Sequence, residues 1–415
     1  MHTHTTTSFR ALSSVEGRIN KVLVSFPAEV ENYRQIRAHF HGLFHAMRNS
    51  DVEFIVVTNA DACRYGARRS NDENFVRSNL EKVAEEVQAS PRIRVVPIFL
   101  ENRPHLQLGI WVQDFFCVLH NPTDGATALL ESVSIEPEPP NILDTHVADV
   151  VAAECGYLLK PVRQRIVGGD ILIGDDFALV GNSIFRGGFG GHNRYGIDRW
   201  ADAEEFLQRS LGVSNIVWAQ FDRPDVYRNG TNNGLNGHNG AAPLTAGAPC
   251  HVDRIITVGG TSPDADNACT LFVAEIRDEY CIGTSLHPNG RVSAFAQVLD
   301  RTAERLRNFN RNGLHFDVVR LPMLVEKPTL LSPYFYSFNN CLVESYGQQH
   351  NAYIPHYRPA TGAESVRVAE RVFAEVERTF NSRGFNVSFV EGEFPSGLAK
   401  SGSLHCATKV LERGN

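Results

Sequence analysis

The chain has 415 residues, 47 acidic against 40 basic side chains, a formal charge of −7 and a pI near 6.2. That length can bury a full core. The acidic balance, without a Lys/Arg-rich run, argues against nucleic acid or an anionic membrane as the main partner, and no apolar stretch reaches the roughly 20 residues that span a bilayer.

In chain order, Met1-His2-Thr3-His4-Thr5-Thr6-Thr7-Ser8 lacks the apolar centre of a secretory signal, and residues 1–14 read as a flexible N-terminal arm. Strand-like runs are expected at 21–26, 53–58, 93–100, 111–119, 170–180, 254–258, 270–276, 316–324, 334–343 and 386–390. Helical patterns fall between them, at 29–47, 74–89, 201–211, 291–310 and 364–381. The first carries a stripe of Ile36, Phe40, Phe44 and Met47, the last a stripe of Ala369, Val372, Val376 and Phe380, with Gly384 as its stop. This rhythm fits a repeated ββαβ-like α/β architecture better than a simple parallel sheet, although no segment repeats another at the level of sequence. No Pro/Ser-rich linker divides residues 15–415, which are expected to form one domain.

Two stretches are irregular. The glycines between Arg186 and Gly191 read as a loop between elements. Residues 228–249 carry four Asn-Gly pairs and end just before Cys250-His251, which suits either a lid over a site or simple disorder. The eight cysteines, at 63, 117, 155, 250, 269, 281, 341 and 406, form no CxxC pair, so reduced thiols and a cytoplasmic setting are expected. Only Cys406 sits among small polar residues beside a histidine, as a reactive thiol should.

Three segments carry chemistry: Trp111-Val112-Gln113-Asp114, His251-Val252-Asp253 and His405-Cys406-Ala407-Thr408. Alone, each has a bland reading: a structural Trp and Asp, a surface or metal-directed His-x-Asp, a packed core thiol. Together they supply a thiol nucleophile, an imidazole and two carboxylates, the set needed to attack a planar cation at carbon. A guanidinium is such a cation. Asp114 and Asp253 would each accept its N–H groups, Cys406 would attack as thiolate, and His251 would serve as acid and then base. Read as a strand, His251-Val252-Asp253 places both polar side chains on one face.

The order of these segments resembles the guanidino-group-modifying pentein superfamily, which includes peptidylarginine deiminases, agmatine and arginine deiminases and amidinotransferases. Trp111-Val112-Gln113-Asp114 is similar to the W-[IM]-Q-D of peptidylarginine deiminases, His251-Val252-Asp253 to the shared H-V-D, and His405-Cys406-Ala407-Thr408 to H-C-x-T. The resemblance implies a five-bladed α/β propeller with the site on its pseudo-fivefold axis. It also implies Asp114 and Asp253 as guanidinium clamps, His251 as acid/base, Cys406 as nucleophile and Trp111 against the aliphatic stem of the substrate. The chain departs from agmatine and free-arginine deiminases at Val167, which precedes Gly168-Gly169-Asp170 where those enzymes carry Glu. With Gln113, this tilts the likeness toward peptidylarginine deiminases, and Asp170 reads as a turn residue before a strand. Nothing resembles the immunoglobulin-like domains or calcium sites of the animal enzymes.

The leading expectation is a hydrolase that deiminates arginine in a peptide or an arginine derivative, without cofactor or metal. The alternatives are an amidinotransferase, a non-catalytic pentein that binds, and a metal hydrolase built on His251 and Asp253, for which no further ligands stand at zinc spacing. The expected partner is a cationic guanidino compound or arginine peptide, and a homodimer is the default assembly.

Overall fold

An antiparallel strand pair, a helix, and a third strand parallel to the second recur five times along the chain. The computed structural model describes residues 9–26, 33–59, 73–98, 108–132, 144–185, 196–219, 251–261, 268–286, 290–327, 333–358, 362–392 and 403–414. Among these lie α1 (Tyr33–Ala46), α2 (Glu73–Glu86), α3 (Asp144–Cys155), α4 (Trp200–Leu211), α5 (Arg291–Arg307) and α6 (Ala363–Asn381). No described helix is long and apolar enough to cross a membrane.

In the first unit Cys117–His120 pairs antiparallel with Thr127–Ser132, and α3 leads to the parallel strand Leu158–Val162. The second joins Ile171–Ile173, Phe177–Val180, α4 and Asn215–Trp218 in the same way. The third uses Ile256–Thr261, Cys269–Glu275, α5 and Leu314–Glu326, and the fourth Leu342–Tyr346, Gln349–His356, α6 and Asn386–Glu391. The fifth is assembled from both ends of the chain: Thr408–Gly414 pairs antiparallel with Arg18–Phe26, from which α1 leads to the parallel strand Glu53–Asn59. Helix α2 and Arg92–Ile98 extend that sheet. The described strands therefore form five sheets, and none closes on itself.

The helices dock through the stripes their sequences predict. Ile36, Phe40, Phe44 and Met47 of the α1 segment are buried, as are Ala369, Val372, Val376 and Phe380 of α6. Phe380 stacks on Phe272 of the neighbouring unit with ring centroids 4.3 Å apart. Truncating such a ring to Ala costs about 3–5 kcal/mol. Gly384 takes φ +81° just beyond α6, the left-handed conformation its place as a stop requires.

Five expectations need correction. Residues 111–119 do not form one strand, because a single 3-10 turn at Val112–Asp114 precedes Cys117–His120. Residues 170–180 are a hairpin of two short strands. Residues 334–343 are divided between two sheets by a turn at 338–340, where Asn339 donates its side-chain N–H to Phe272 O at 2.8 Å rather than continuing a ladder. His251-Val252-Asp253 is no strand either; His251 is extended and opens a 3-10 turn at Val252–Arg254. Of the arm expected over 1–14, residues 9–14 are tied down: Arg10–Ala11 pair with His120 and Leu119, and Ser14 N donates to Ile173 O at 2.8 Å. Helix α3 escaped the sequence reading because its Ala/Val-rich composition gives little contrast between faces. The irregular stretches 186–191 and 228–249 lie outside the described residues.

Candidate active site

Each unit opens on a tight turn just before its first strand, and the site is built from those five turns. They are the 3-10 turns Val112–Asp114, Gly168–Asp170 and Val252–Arg254, and turns at 338–340 and 404–407. Hydrogen bonds link them in a closed ring. Gly169 N donates to Asp114 Oδ1 (2.9 Å), and Val252 N to Asp170 Oδ1 (3.2 Å). Asn340 Nδ2 reaches Asp253 O (3.4 Å), His405 N reaches Asn340 O (3.1 Å), and Gln113 N returns to Cys406 O (3.1 Å). Polar groups at the ends of short strands are thereby satisfied by neighbouring units instead of by a sheet ladder.

Glycine makes the close approach of the first two turns possible. A Cβ on Gly168 would lie 2.0 Å from Gln113 O. One on Gly169 would lie 2.6 Å from Asp114 Oδ1, 2.9 Å from His251 Nδ1 and 3.3 Å from Asp253 Oδ2. Three of the side chains singled out from the sequence thus converge over a backbone that carries no side chain. Cys406 joins them from the fifth turn, its Sγ 3.3 Å from Asp253 Oδ2. Trp111 caps the Asp114 turn, its carbonyl accepting from Asp114 N at 3.1 Å.

The electrostatics divide the site. Asp253 is 1% exposed, and burial alone would raise its pKa; donation from His405 Nδ1 at 2.8 Å, the nearby His251 and the Cys406 thiol hold it below the ordinary carboxylate value instead. Both donors use Oδ2, and Oδ1, although buried, has no hydrogen-bond partner among the described residues. Asp114 behaves in the opposite way. Burial and the negative Asp253 push it up, against His251 and the Gly169 N–H. His251 Nδ1 lies 3.6 Å from Asp114 Oδ1. Burial opposes its protonation, but Asp114, Asp170 and Asp253 together outweigh that and raise its pKa, favouring imidazolium.

Cys406 is 2% exposed, and its thiol is pushed well above the ordinary value by burial and by Asp253 and Asp114. Donation from Asn340 Nδ2 at 3.0 Å and the positive Arg254 act against that rise. Burial is the largest cause of that rise, and a cation placed against the two carboxylates would offset the part that they add.

The sequence reading passed over several members. Asn340 binds the Cys406 sulfur, and its Oδ1 accepts from Cys406 N (3.1 Å) and Ser403 N (2.9 Å). The Asn-Asn pair inside an apolar run was the available signal, since Asn favours turns over strands. Asp170 is the turn residue expected, but it is wholly buried and also accepts from Ser183 N at 2.9 Å, so it anchors the backbone that carries His251. Lys409 lies behind the Gly168 turn, where its Nζ donates to Gln113 O at 3.3 Å. No group of three or more His, Cys, Asp and Glu side chains among the described residues is arranged to hold a metal ion.

Comparison with known proteins gives a likeness in structure alone. No family model and no curated protein matches the chain. Among solved structures, a protein described as a "putative peptidyl-arginine deiminase" superposes with a TM-score of 0.59 at 16% identity, covering 98% of this chain and 100% of its own. A "putative agmatine deiminase" gives 0.60 at 14%, and the agmatine deiminase of Enterococcus faecalis 0.59 at 14%, each covering 98% of this chain and 96% of its own. The chain has the fold of the guanidino-modifying penteins. Its mixed α/β units are those described above, and the four polar residues read from the sequence lie on three of the five turns.

Proposed function

We propose that this pentein is a deiminase that hydrolyses a guanidino group to a ureido group and ammonia. The observation that carries the reading is the convergence of Asp114, His251 and Asp253 over Gly169, with the Cys406 sulfur beside them and a buried Asp253 oxygen that has no donor among the described residues. A guanidinium answers both needs at once: its N–H groups satisfy Asp253 Oδ1 and Asp114, and its charge offsets theirs. Such charge-assisted contacts are worth about 1.5–3 kcal/mol each.

With the cation in place Cys406 releases its proton to solvent, and its sulfur attacks the guanidinium carbon, forming a C–S bond and a tetrahedral centre. Imidazolium at His251 gives its proton to one amino group, the C–N bond breaks and ammonia leaves. The neutral imidazole then takes a proton from water as the water attacks the thiouronium carbon. A C–O bond forms, the C–S bond breaks, and the ureido product and thiol are released. Trp111 stands at the Asp114 turn, where its ring is assigned to the substrate's aliphatic stem. The chemistry requires no metal or cofactor.

The same proposal takes residues 15–415 as one catalytic domain, with the five units as blades of an α/β propeller around the site; the closed ring of hydrogen bonds between their turns supports that arrangement. A cytoplasmic setting is part of it, supported by six free cysteines among the described residues, as is a homodimer. Arginine in a peptide or an arginine derivative is the proposed substrate. The test is ammonia release from agmatine, free arginine, N-acyl arginine and arginine peptides, with Cys406→Ala as control. Ammonia and a ureido product without an amine acceptor support the deiminase; product formed only with an acceptor, by amidino transfer and without ammonia, would overturn it.

A further inference from the structure

A carboxylate that clamps a substrate and also touches the nucleophile has a conflict, because either oxygen could serve either partner. At Asp253 the conflict is already resolved. His405 Nδ1 lies 2.8 Å from Oδ2, and the Cys406 sulfur 3.3 Å from the same oxygen, while Oδ1 is buried and has no hydrogen-bond partner among the described residues. A carboxylate can only accept, so His405 must carry its proton on Nδ1 at this contact. His405 also helps line a cavity of about 50 Å³, together with Lys409, Gln113 and Gly168.

We propose that His405 is a positioning residue that acts through Asp253. Its Nδ1–H fixes the carboxylate so that Oδ2 belongs to the protein and Oδ1 to the guanidinium. This inference rests on the deiminase reading and deepens it. The main chain makes the device stiff: His405 N donates to Asn340 O at 3.1 Å, and the adjoining Cys406 N donates to Asn340 Oδ1, also at 3.1 Å. Imidazole and thiol thus leave one short turn and meet one oxygen. A histidine suits the place because it donates without obligatory charge; Lys or Arg there would set a permanent cation against a cationic substrate. The histidine in His405-Cys406 is then part of the site rather than a neighbour of it.

The test separates the donor from the ring. In a Cys406→Ser background, which stops turnover and keeps a hydroxyl donor to Asp253, methylguanidinium affinity is measured by calorimetry for three proteins: the parent, His405→Phe and His405→Asn. Phe keeps a ring of similar volume without a donor, whereas the Asn amide can place an N–H where Nδ1 stands. The expected result is at least about tenfold weaker binding for His405→Phe, the loss of one hydrogen bond to a charged group, and recovery by His405→Asn to within about threefold. In the Cys406-containing enzyme His405→Phe lowers kcat/KM by about 10- to 100-fold, and His405→Asn recovers most of it. Parent-like binding by His405→Phe would overturn the inference, as would His405→Asn binding no better than His405→Phe when thermal unfolding shows both folded. Should His405→Phe fail to fold, His405→Ala takes its place with the same two outcomes. A parent that binds no methylguanidinium would instead remove the deiminase reading, and the role of His405 with it.

Discussion

Asp114 and Asp253 are the same group and both reach the space above Gly169, yet their pKa values are shifted in opposite directions. Asp253 is 1% exposed and tied to His405 and Cys406 through one oxygen; the Asp114 side chain is 29% exposed and receives a single backbone N–H from Gly169. Donors hold Asp253 below the usual carboxylate range, whereas burial and its neighbour's charge push Asp114 above it. The lesson is that the thiol half of the site is built in advance, while the Asp114 half has fewer contacts of its own, which under the proposed function a ligand would complete. On the proposed reading, preorganising one carboxylate and leaving the other responsive lets cation binding be felt at the Cys406 thiol.

Several substitutions bear on that contrast. The largest effect is expected for Asp253→Asn, which removes a substrate acceptor and also disturbs the thiol and His405 contacts: kcat/KM for ammonia release should fall roughly 1,000-fold or more. Asp114→Asn, measured alongside, should cost about 10- to 100-fold, chiefly in KM. Equal losses at the two positions would erase the distinction. Gly169→Ala places a methyl group 2.6 Å from Asp114 Oδ1, on the side where the site is less constrained. A drop in activity of at least about tenfold with a nearly unchanged unfolding midpoint is expected. Gly168→Ala should show the reverse order of effects, because its Cβ would meet the Gln113 carbonyl of the backbone at 2.0 Å; a stability loss of about 1–3 kcal/mol by denaturant unfolding is predicted.

A repeated strand-and-helix pattern was legible as rhythm, although helix α3 and the number of units were not. The apolar stripes of α1 and α6 and the strands near 21, 53, 270 and 386 were there to be read, because burial imposes periods of 3.6 and 2 on long elements. The turns between them were not. Residues 111–119 and 334–343 are apolar enough to pass for single strands, and only tertiary contacts, such as Gln113 N to Cys406 O, break them. For the same reason Asp114, His251, Asp253 and Cys406 could be named from residue type and order, while Asn340 and the contact of His405 could not. Their roles depend on which turns meet, and no local pattern encodes that.

Two smaller effects come from pH. Under the proposed mechanism ionised Asp114 clamps a cation, so kcat/KM should decline on the acid side through a pKa above the ordinary carboxylate value; imidazolium at His251 releases ammonia, so kcat should decline on the alkaline side through a pKa above the usual imidazole value. Asp170 gives a stability signature. Burial raises it to about 6, so between about pH 4 and 6 the folded protein keeps a proton that the unfolded chain has released. Stability from this group therefore falls as pH rises through that window. Asp170→Asn should flatten that fall in urea unfolding measured at several pH values, and an unchanged slope would contradict the assignment.

The covalent step is open to direct view. Acid-quenching the enzyme during turnover of its guanidino substrate and weighing the Cys406 peptide should reveal an adduct equal to the substrate less ammonia, absent from Cys406→Ala. An unmodified Cys406 peptide, together with undiminished ammonia release by Cys406→Ala, would contradict nucleophilic attack by this thiol.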